Sequence, residues 1–492
     1  MVSLIDTDVM IDVSRRNAGA VSAYPVVHLD AAVGQLAYDL LKRYAGSHGL
    51  RTFDSLIAAT AMLRGFELIS RNRKHFAAID GLQFSITTLL SRGVCAAVRP
   101  DAKLIVMPPH QRKPVRVRRI DECHSVHEIF EHCLPAFGGA ILRRVYSILD
   151  RAIGAGCPIT MSIAGPVTVS GQHQAWLIPM LEAGWVAYLS TTDAVCYHDG
   201  HRSLNEHTKD PIYEVPIFGD DGALRDESVI RVTDMGFDES VLLDQDKFLT
   251  AVLARPEFQK KMTGTELRHR LGAYYAAQER HTGVEPGLLA TCNRLGIPVF
   301  VGAPADGSVF LNSMKLWAMK QAGLIPEYSF DLDLHAEVFE ACAYHHWGLF
   351  ESDAKSIATL ILGGGVPKNY NLQPEPALGQ VLGLPDVRGY EFDVQITTAP
   401  VTDGSLSSCP PAEAVTWGKV DKDTYQQSTE SLPADYSMMM PFIVKALMEK
   451  HGKREPYRLY ENRERLVETL RGAVRENKKW LMESLLYPVN AS

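Results

Sequence analysis

Several features are missing from this sequence, and each absence excludes a class of protein. The eight cysteines are scattered and form no CxxC pair, so neither a metal site nor a disulfide framework is expected and the thiols are predicted to be reduced. No apolar run reaches about 18 residues, so no membrane-spanning helix is predicted. The net charge of −8 lacks the basic excess that nucleic-acid-binding proteins usually carry. A nucleic acid partner is therefore not expected.

The N-terminal stretch also lacks the pattern of a secretory signal. Residues 1–17 contain a short apolar segment with acidic residues, followed by arginines. A signal peptide instead places its positive charge first and a longer apolar run after it. We therefore expect a cytoplasmic protein.

The composition is that of an ordinary globular protein, with 46% apolar and 22% charged residues. At about 150 residues per domain, the length predicts two or three units. Residues 1–95 are predicted to form a small α/β unit, and residues 96–118, rich in proline and arginine, a linker. A solvated linker is favoured there over a nucleic-acid contact. Residues 451–492 are predicted to be a charged helix that packs as an arm or on a neighbouring subunit.

Between the linker and the C-terminal helix, residues 119–450 alternate between helical and strand patterns. Short apolar segments such as PITMSIAG, LGIPVFVGAP and SIATLILGGGVP end in glycine or proline and are separated by amphipathic helical stretches. Such alternation favours a parallel sheet that helices cover on both faces.

The loops at the predicted strand ends are rich in small and polar residues. Ligands of doubly wound sheets bind at such ends, where glycine allows close backbone approach and helix N–H groups bind anions. The chain has no GxGxxG motif, so the ordinary dinucleotide fingerprint does not apply. One loop alone is more often a tight turn, but five together favour a nucleotide-like ligand. These loops contain residues 164–165, 191–192, 306–308, 363–365 and 397–405.

The stretch EAVTWGKV, residues 413–420, places a lysine directly after Trp-Gly at the end of an apolar run. A lysine attacks carbonyl groups only as the free amine, and its unperturbed pKa is about 10.4. Burial beside an aromatic wall such as Trp417 would lower that pKa, and Glu413 could bind a substrate cation. The residues alone leave two interpretations of Lys419 open, a nucleophile in a pocket or a solvated surface charge.

At these residues the sequence resembles deoxyhypusine synthase, over about residues 115–450. The segments ADGS, LILGGGVPKN, TDGSLSSCPPAEAVTWGKV and PADYSMMMPF follow the order and spacing of that family's C-terminal half. LSTTDAVCYHDGHRSLNE looks like the bacterial deoxyhypusine-synthase-like branch. The resemblance implies a Rossmann-like fold, a homotetramer and NAD-dependent oxidation of spermidine. The aminobutyl fragment would then pass through an imine on the active-site lysine to an acceptor amine.

The resemblance also implies roles for individual residues. Lys419 would be the covalent lysine, Trp417 would pack on the amine chain and Glu413 would bind an ammonium group. The NAD site would be lined by Asp306, Gly364, Thr398, Ala399, Asp403, Gly404 and Asp435. These roles agree with the chemistry, because imine formation needs a desolvated lysine and transfer needs the exclusion of water.

Three amine-facing polar residues of the family are replaced in this sequence. Leu311 and Leu406 stand where the family has aspartates, and Asn369 faces the substrate where the family has a general-base histidine. Asparagine cannot act as a base, but His198 could substitute, unless it is a structural histidine. The replacements imply a smaller or differently charged amine, with putrescine as acceptor in homospermidine formation or an agmatine-type donor. A protein that binds NAD or polyamine without turnover is a further alternative.

The N-terminal unit resembles the PIN-domain ribonucleases of toxin–antitoxin type. LIDTDVMID matches the first strand with its acid, Asp6, and TFDSLIAATAMLRGFELISRNRKHF matches the C-terminal half with Asp54 and Asn72. Such nucleases gather carboxylates around Mg²⁺ or Mn²⁺ to activate water. The middle helices, with their metal-binding glutamate, are missing. Three further aspartates are available outside the expected motif, at Asp12, Asp30 and Asp39.

We therefore predict a truncated, inactive PIN-like unit followed by an NAD-dependent aminobutyl transferase. The alternative function is a PIN-type metal-dependent ribonuclease fused to a non-catalytic scaffold that binds NAD or polyamine.

Overall fold

The computed structural model describes residues 3–5, 30–48, 50–70, 73–86, 114–165, 167–204 and 211–487. The chain divides into two compact units, Met1–Arg112 and Lys113–Ser492. Asp6, Asp12 and Asn72 lie outside the described residues, as does most of the predicted linker.

The first unit is a small α/β structure, as predicted. Its parallel sheet has the order β1-β2-β3, with strands β1 (Ser3–Ile5), β2 (Glu67–Ser70) and β3 (Phe84–Ile86). Its helices are α1 (Ala31–His48), α2 (Thr52–Arg64) and α3 (Arg73–Phe76). Helix α2 buries alanines, which allow close packing, and ends at Gly65, whose φ of 64° favours glycine.

The second unit is built on a six-stranded sheet in which every neighbouring pair is parallel. The strand order is β10-β5-β4-β12-β13-β14. The strands are β4 (Ile159–Ile163), β5 (Val186–Thr191), β10 (Val299–Val301), β12 (Ala358–Leu362), β13 (Phe392–Thr397) and β14 (Thr429–Pro433).

Both faces of this sheet are covered. Every residue of β4, β5, β10, β12 and β13 is buried, although successive side chains of a strand point to opposite faces. On β12, Leu360 and Leu362 belong to one apolar cluster, while Ile361 between them belongs to another with Leu372 and Tyr390. The predicted Rossmann-like α/β fold, with helices on both faces, is confirmed.

Helices follow most strands of the second unit, and none of the helices in the described part of the chain is long and apolar enough to cross a bilayer. The helices are α4 (Val126–His132), α5 (Phe137–Gly154), α6 (Ile178–Glu182), α7 (Asp193–Asp199), α8 (Asp221–Asp226), α9 (Glu239–Leu253), α10 (Gly264–Thr282), α11 (Leu288–Leu295), α12 (Ser308–Gln321), α13 (Leu334–Phe350), α14 (Gly365–Leu372), α15 (Pro374–Pro376), α16 (Pro411–Ala414), α17 (Tyr425–Ser428), α18 (Tyr436–Lys450), α19 (Arg463–Glu476) and α20 (Lys478–Ser484).

The strand order creates a topological switch point between β4 and β12. From β4 the chain adds β5 and then β10 on one side, and it then returns to add β12, β13 and β14 on the other side. The connections that leave these two neighbouring strands therefore diverge. A crevice at the carboxyl ends of such strands is where open α/β sheets bind ligands.

The second unit also contains two small sheets that the sequence analysis did not predict. Strands β6 (Tyr213–Glu214), β7 (Val229–Val232) and β8 (Met235–Asp238) form an antiparallel sheet in the order β6-β8-β7. Strands β9 (Lys261–Met262) and β11 (Asp331–Leu332) form a parallel pair.

The C-terminal segment contains two helices, whereas one charged helix was predicted for it. Two helices, α19 and α20, meet at Asn477. Leu466 and Leu470 of α19 are buried within their own chain, in one cluster with Tyr344 of α13. The apolar stripe of α19 therefore packs within its own chain, and the predicted packing on a neighbouring subunit stays a prediction.

Candidate active site

A cavity of about 960 Å³ lies at the switch point, and we call it the switch-point cavity. The loops that follow β4, β12 and β13 and the start of α18 supply its walls. Its lining includes Ala164, Gly165, Gly363, Gly364, Thr398 and Asp435. Three residues predicted from the sequence to contact a nucleotide, Gly364, Thr398 and Asp435, are therefore brought together.

Glycine is required at the β12 end of this cavity. Gly363 has a φ of 80°, a conformation that other residues rarely adopt. A Cβ atom at Gly364 would collide with the Ser407 hydroxyl. That hydroxyl accepts a hydrogen bond from the Gly365 N–H, at 2.9 Å. The backbone can therefore approach a ligand closely at the point where α14 begins.

The other residues predicted for the cofactor lie outside the lining of the switch-point cavity. Ala399, Asp403 and Gly404 are in the loop after β13, and Asp306 lines a neighbouring cavity. Hydrogen bonds from Ser408 and Ser405 hold the pKa of the Asp403 carboxyl below its usual value.

A second cavity, of about 1200 Å³, lies among α7, α9 and α12, and we call it the His198 cavity. It contains His198 and Asp306, together with Leu311. His198 Nδ1 is 3.4 Å from Nε2 of the fully buried His201. Burial lowers the pKa of His198 to about 4. His198 is therefore a neutral imidazole at pH 7, in the protonation state that a proton acceptor needs.

A smaller groove of about 420 Å³ adjoins the His198 cavity, because Ala303 and Val366 line both. Asn369 and Leu406 line this groove. The three positions at which the sequence departs from the family pattern therefore surround two adjoining spaces: Leu311 lies in the cavity, and Asn369 and Leu406 lie in the groove.

The lysine segment forms a compact turn. Helix α16 passes into a 3₁₀ turn, Val415–Trp417, which ends at Gly418 with a φ of 69°. The Lys419 N–H then donates to the Ala414 carbonyl at 3.0 Å, and the Lys419 carbonyl accepts from the Tyr390 N–H at 3.0 Å. The backbone on both sides of the Lys419 side chain is therefore fixed.

Lys419 is half-buried beside an aromatic side chain. Its Nζ lies 6.0 Å from the centre of the Trp417 ring, and burial lowers the pKa of its ammonium. Trp417 is 61% exposed and Glu413 is also exposed. Neither of the two cavities nor the groove is lined by Lys419, Trp417 or Glu413. The predicted lysine and its aromatic wall are thus brought together, and Glu413 stands on the preceding helix.

A buried lysine that the sequence analysis overlooked connects the groove to this segment. Lys368 is 2% exposed, and its Nζ donates to Gln395 Oε1 at 2.5 Å. It also donates to the carbonyls of Leu406 at 3.0 Å and Cys409 at 2.6 Å. Burial lowers the pKa of Lys368. The sequence analysis assigned the neighbouring Asn369 to the substrate site. No pattern in the sequence showed that the Lys368 side chain points inward.

In the first unit, the described acidic residues have close partners. Asp54 Oδ2 lies 2.8 Å from His75 Nδ1, and Asp30 pairs with Arg64 at 2.7 Å. Within the described part of the chain, no three metal-ligating side chains come together. The described carboxylates of this unit are therefore engaged in local contacts rather than gathered in one place.

The fold and these cavities define a doubly wound α/β protein with a ligand crevice at the carboxyl ends of its strands. Residues 126–447 match the family model of deoxyhypusine synthase, and residues 6–82 match that of the PIN domain. A deoxyhypusine synthase-like protein from Nostoc sp. is 35% identical over 349 residues, which cover 70% of this chain and 87% of that protein. One from Cyanothece sp. is 33% identical over 348 residues, which cover 70% and 84%.

The chain belongs to the deoxyhypusine synthase family, with a PIN domain at its N-terminus. Both resemblances predicted from the sequence are confirmed.

Proposed function

We propose that this protein is an NAD-dependent aminobutyl transferase that acts on polyamines through an imine on Lys419. The observation that carries the proposal is the half-buried Lys419, whose pKa burial lowers, beside Trp417 in a family whose name denotes this type of transfer. A lowered pKa provides more free amine at neutral pH, and only the free amine attacks an imine or carbonyl carbon. Lys419 is therefore the proposed nucleophile.

NAD fits the switch-point cavity. The glycines at the end of β12 let the backbone approach a pyrophosphate closely. Asp435, at the start of α18, supplies a carboxylate suited to ribose hydroxyls. Bound NAD would accept and return the hydride of the reaction. The family resemblance adds Asp306, Ala399, Asp403 and Gly404 to the proposed cofactor set, although they lie outside the lining of the switch-point cavity.

The amine site is proposed to differ from that of a spermidine-specific enzyme. Leu311 and Leu406 line the His198 cavity and the groove without a charge, and Asn369 offers only an amide. A smaller acceptor such as putrescine, which would give homospermidine, suits this reduced number of polar contacts. Trp417 would cover the alkyl chain and Glu413 would bind an ammonium group.

His198 is the proposed proton acceptor. It lines the larger cavity in its neutral form, and the family histidine is absent at Asn369. The test is the turnover of a His198→Ala variant, since full turnover would remove His198 from the mechanism.

We also propose that the protein is a cytoplasmic homotetramer. Leu311, Met314 and Trp317 recur every three residues along α12 and are each about half exposed. Exposed apolar faces of this kind mark protein interfaces. Sedimentation equilibrium tests this part of the proposal, which a monomeric mass would contradict.

The decisive experiment is borohydride trapping. The protein is incubated with NAD and with spermidine, putrescine or agmatine, reduced, digested and analysed by mass spectrometry. We expect an adduct on Lys419 whose mass identifies the transferred fragment. Lys419→Ala should lose the adduct, whereas Lys422→Ala, at an exposed position nearby, should keep it. If the protein binds NAD but none of the amines gives an adduct, the proposal is wrong.

A further inference from the structure

The His198 cavity contains a carboxylate that the sequence analysis did not single out. Asp246 lies on α9 and lines the cavity. Its Oδ1 accepts hydrogen bonds from the Tyr197 hydroxyl at 3.0 Å and from Asn312 Nδ2 at 2.7 Å. The Asn312 amide is itself oriented by a second donation from its Nδ2, to the Ser308 carbonyl at 3.0 Å. The carboxylate is thus held in one orientation before any ligand binds.

One oxygen of Asp246 is left for a ligand. Both donors reach Oδ1, and no hydrogen bond or ion pair to Oδ2 is formed by the described residues around it. Tyr197 and Asn312 are almost completely buried, whereas Asp246 is only half-buried. A carboxylate that is fixed at one oxygen and accessible at the other is preorganised to accept a hydrogen bond from a donor in the cavity.

The charges around the cavity favour a cation. Asp193, Asp246 and Asp306 line it, against one basic side chain, Lys315. The Lys315 ammonium reaches the backbone carbonyl of Asp246, at 3.5 Å, and Lys315 is exposed. His198 is neutral at pH 7, since burial lowers its pKa to about 4. The lining therefore carries net negative charge.

The walls of the cavity suit an alkyl chain rather than a metal ion. Hard metal ions require several oxygen ligands, whereas Asp246 offers one accessible oxygen and no three metal-ligating side chains come together in the described part of the chain. The remaining wall is largely apolar and is formed by Leu242, Leu311, Met314, Met319 and Leu324. A chain of methylene groups with a terminal ammonium matches one carboxylate set among aliphatic side chains.

We propose that Asp246 binds the terminal ammonium of a linear alkyl amine in the His198 cavity. This inference rests on the proposed function in one respect, because the amine is taken to be the substrate whose fragment Lys419 receives. Asp246 then supplies, from α9, the negative charge that α12 lacks at Leu311. Selection among amines would depend on the distance from Asp246 to the reacting carbon.

The test measures amine binding separately from chemistry. In full-length protein carrying Lys419→Ala, the affinities for spermidine, putrescine and agmatine are measured by calorimetry with NAD present. Adding Asp246→Asn removes the charge but keeps an oxygen that can accept from Tyr197 and Asn312, so the fold should persist, as a melting curve will show. We expect the Kd of the bound amine to rise about tenfold or more, as for the loss of a charge-assisted hydrogen bond.

The matched control is Asp244→Asn, on the same helix. Asp244 is exposed and pairs with Lys247 at 3.0 Å, so its replacement should leave the Kd unchanged. Equal amine affinity with and without Asp246→Asn would overturn the inference, as would the absence of binding by all three amines. Asp246-dependent binding without a Lys419 adduct would support the inference and contradict the proposed function. A Lys419 adduct together with amine binding that does not depend on Asp246 would support the proposed function and contradict the inference.

Discussion

Lys368 illustrates how burial constrains a single charged side chain. An ammonium group has three N–H donors, and the surrounding protein supplies one acceptor for each: Gln395 Oε1 and the carbonyls of Leu406 and Cys409. Two of these acceptors belong to the loop between β13 and α16, the helix that precedes Lys419. The buried ammonium therefore fixes the chain that leads into the lysine segment.

We expect Lys368→Met to weaken this loop. The methionine keeps the apolar stem but leaves two carbonyls and one amide oxygen without a donor, which should destabilise the protein by about 1–3 kcal/mol. Denaturant unfolding gives the stability, and borohydride trapping gives the reactivity of Lys419, which should fall in parallel. The exposed Lys422→Met should stay within about 0.5 kcal/mol. Unchanged stability and trapping in Lys368→Met would show that the three bonds do not position the loop.

The sequence predicts residues at strand ends better than residues whose role depends on which way a helix faces. Gly364, Thr398 and Asp435 were predicted for one site and line one cavity, because carboxyl ends of parallel strands meet at one edge. Lys368 and Asp246 were missed, because both are charged residues in ordinary helical stretches. Only the packing of neighbouring elements shows that Lys368 is buried and that Asp246 faces a cavity.

At the scale of the element, two acidic side chains hold the start of α11. Asp199, from α7, accepts from the N–H groups of Leu288 and Leu289, each at 2.7 Å. Glu279, from α10, accepts from the Gly287 N–H at 2.9 Å. Both carboxylates accept from backbone N–H groups that have no partner within the helix, because they lie at its start. Burial raises the pKa of Asp199 to about 6 and that of Glu279 to about 7, and the nearby Asp199 charge also raises the pKa of Glu279.

We expect Glu279→Gln to stabilise the protein at pH 8 and much less at pH 5. The folded pKa of about 7 lies above the unfolded value near 4.5, so folding takes up a proton between these values. Stability therefore falls as the pH rises through this window and stays low above it. The amide oxygen can still accept from Gly287, so removing the charge should add about 3 kcal/mol at pH 8.

Denaturant unfolding at the two pH values measures the effect. Glu285→Gln, at an exposed position in the following loop, should leave the free energy of unfolding unchanged at both pH 5 and pH 8. A gain that is equal at pH 5 and pH 8 would contradict the titration of Glu279.

Elements with a strong periodic pattern were predicted, and short or irregular ones were not. The buried strands β10 and β12 are short, largely apolar runs next to glycine or proline, which the sequence shows directly. The small antiparallel sheet was missed because β6 has two residues and β7 and β8 have four each. The partner of α19 was also missed, since a stripe of leucines does not identify the helix that it packs against.

At the scale of the whole molecule, the two units are expected to differ in activity. The family match places a PIN domain at residues 6–82, yet the described acids Asp54 and Asp30 are paired with His75 and Arg64. A PIN nuclease requires several carboxylates around one metal ion. We therefore propose that the first unit does not cleave RNA.

The full-length protein with Mn²⁺ or Mg²⁺ should leave single-stranded RNA intact. Asp54→Asn should behave identically, because no cleavage exists for it to remove. Gel analysis over hours provides the measurement. Metal-dependent cleavage that Asp54→Asn abolishes would show an active nuclease and would restore the alternative function of the chain.

The strand order of the second unit also bears on the protein's synthesis. At the centre of the sheet β4 pairs with β12, with Ile159 opposite Ala358. Strand β4 is therefore synthesised long before the strand with which it pairs. Until the ribosome has delivered Ala358, the apolar edge of β4 has no partner on that side. Long-range parallel pairing of this kind is slow and exposes aggregation-prone edges. The nascent chain is therefore most exposed to misassembly while α6 to α13 are being translated, and chaperone binding should concentrate in that interval.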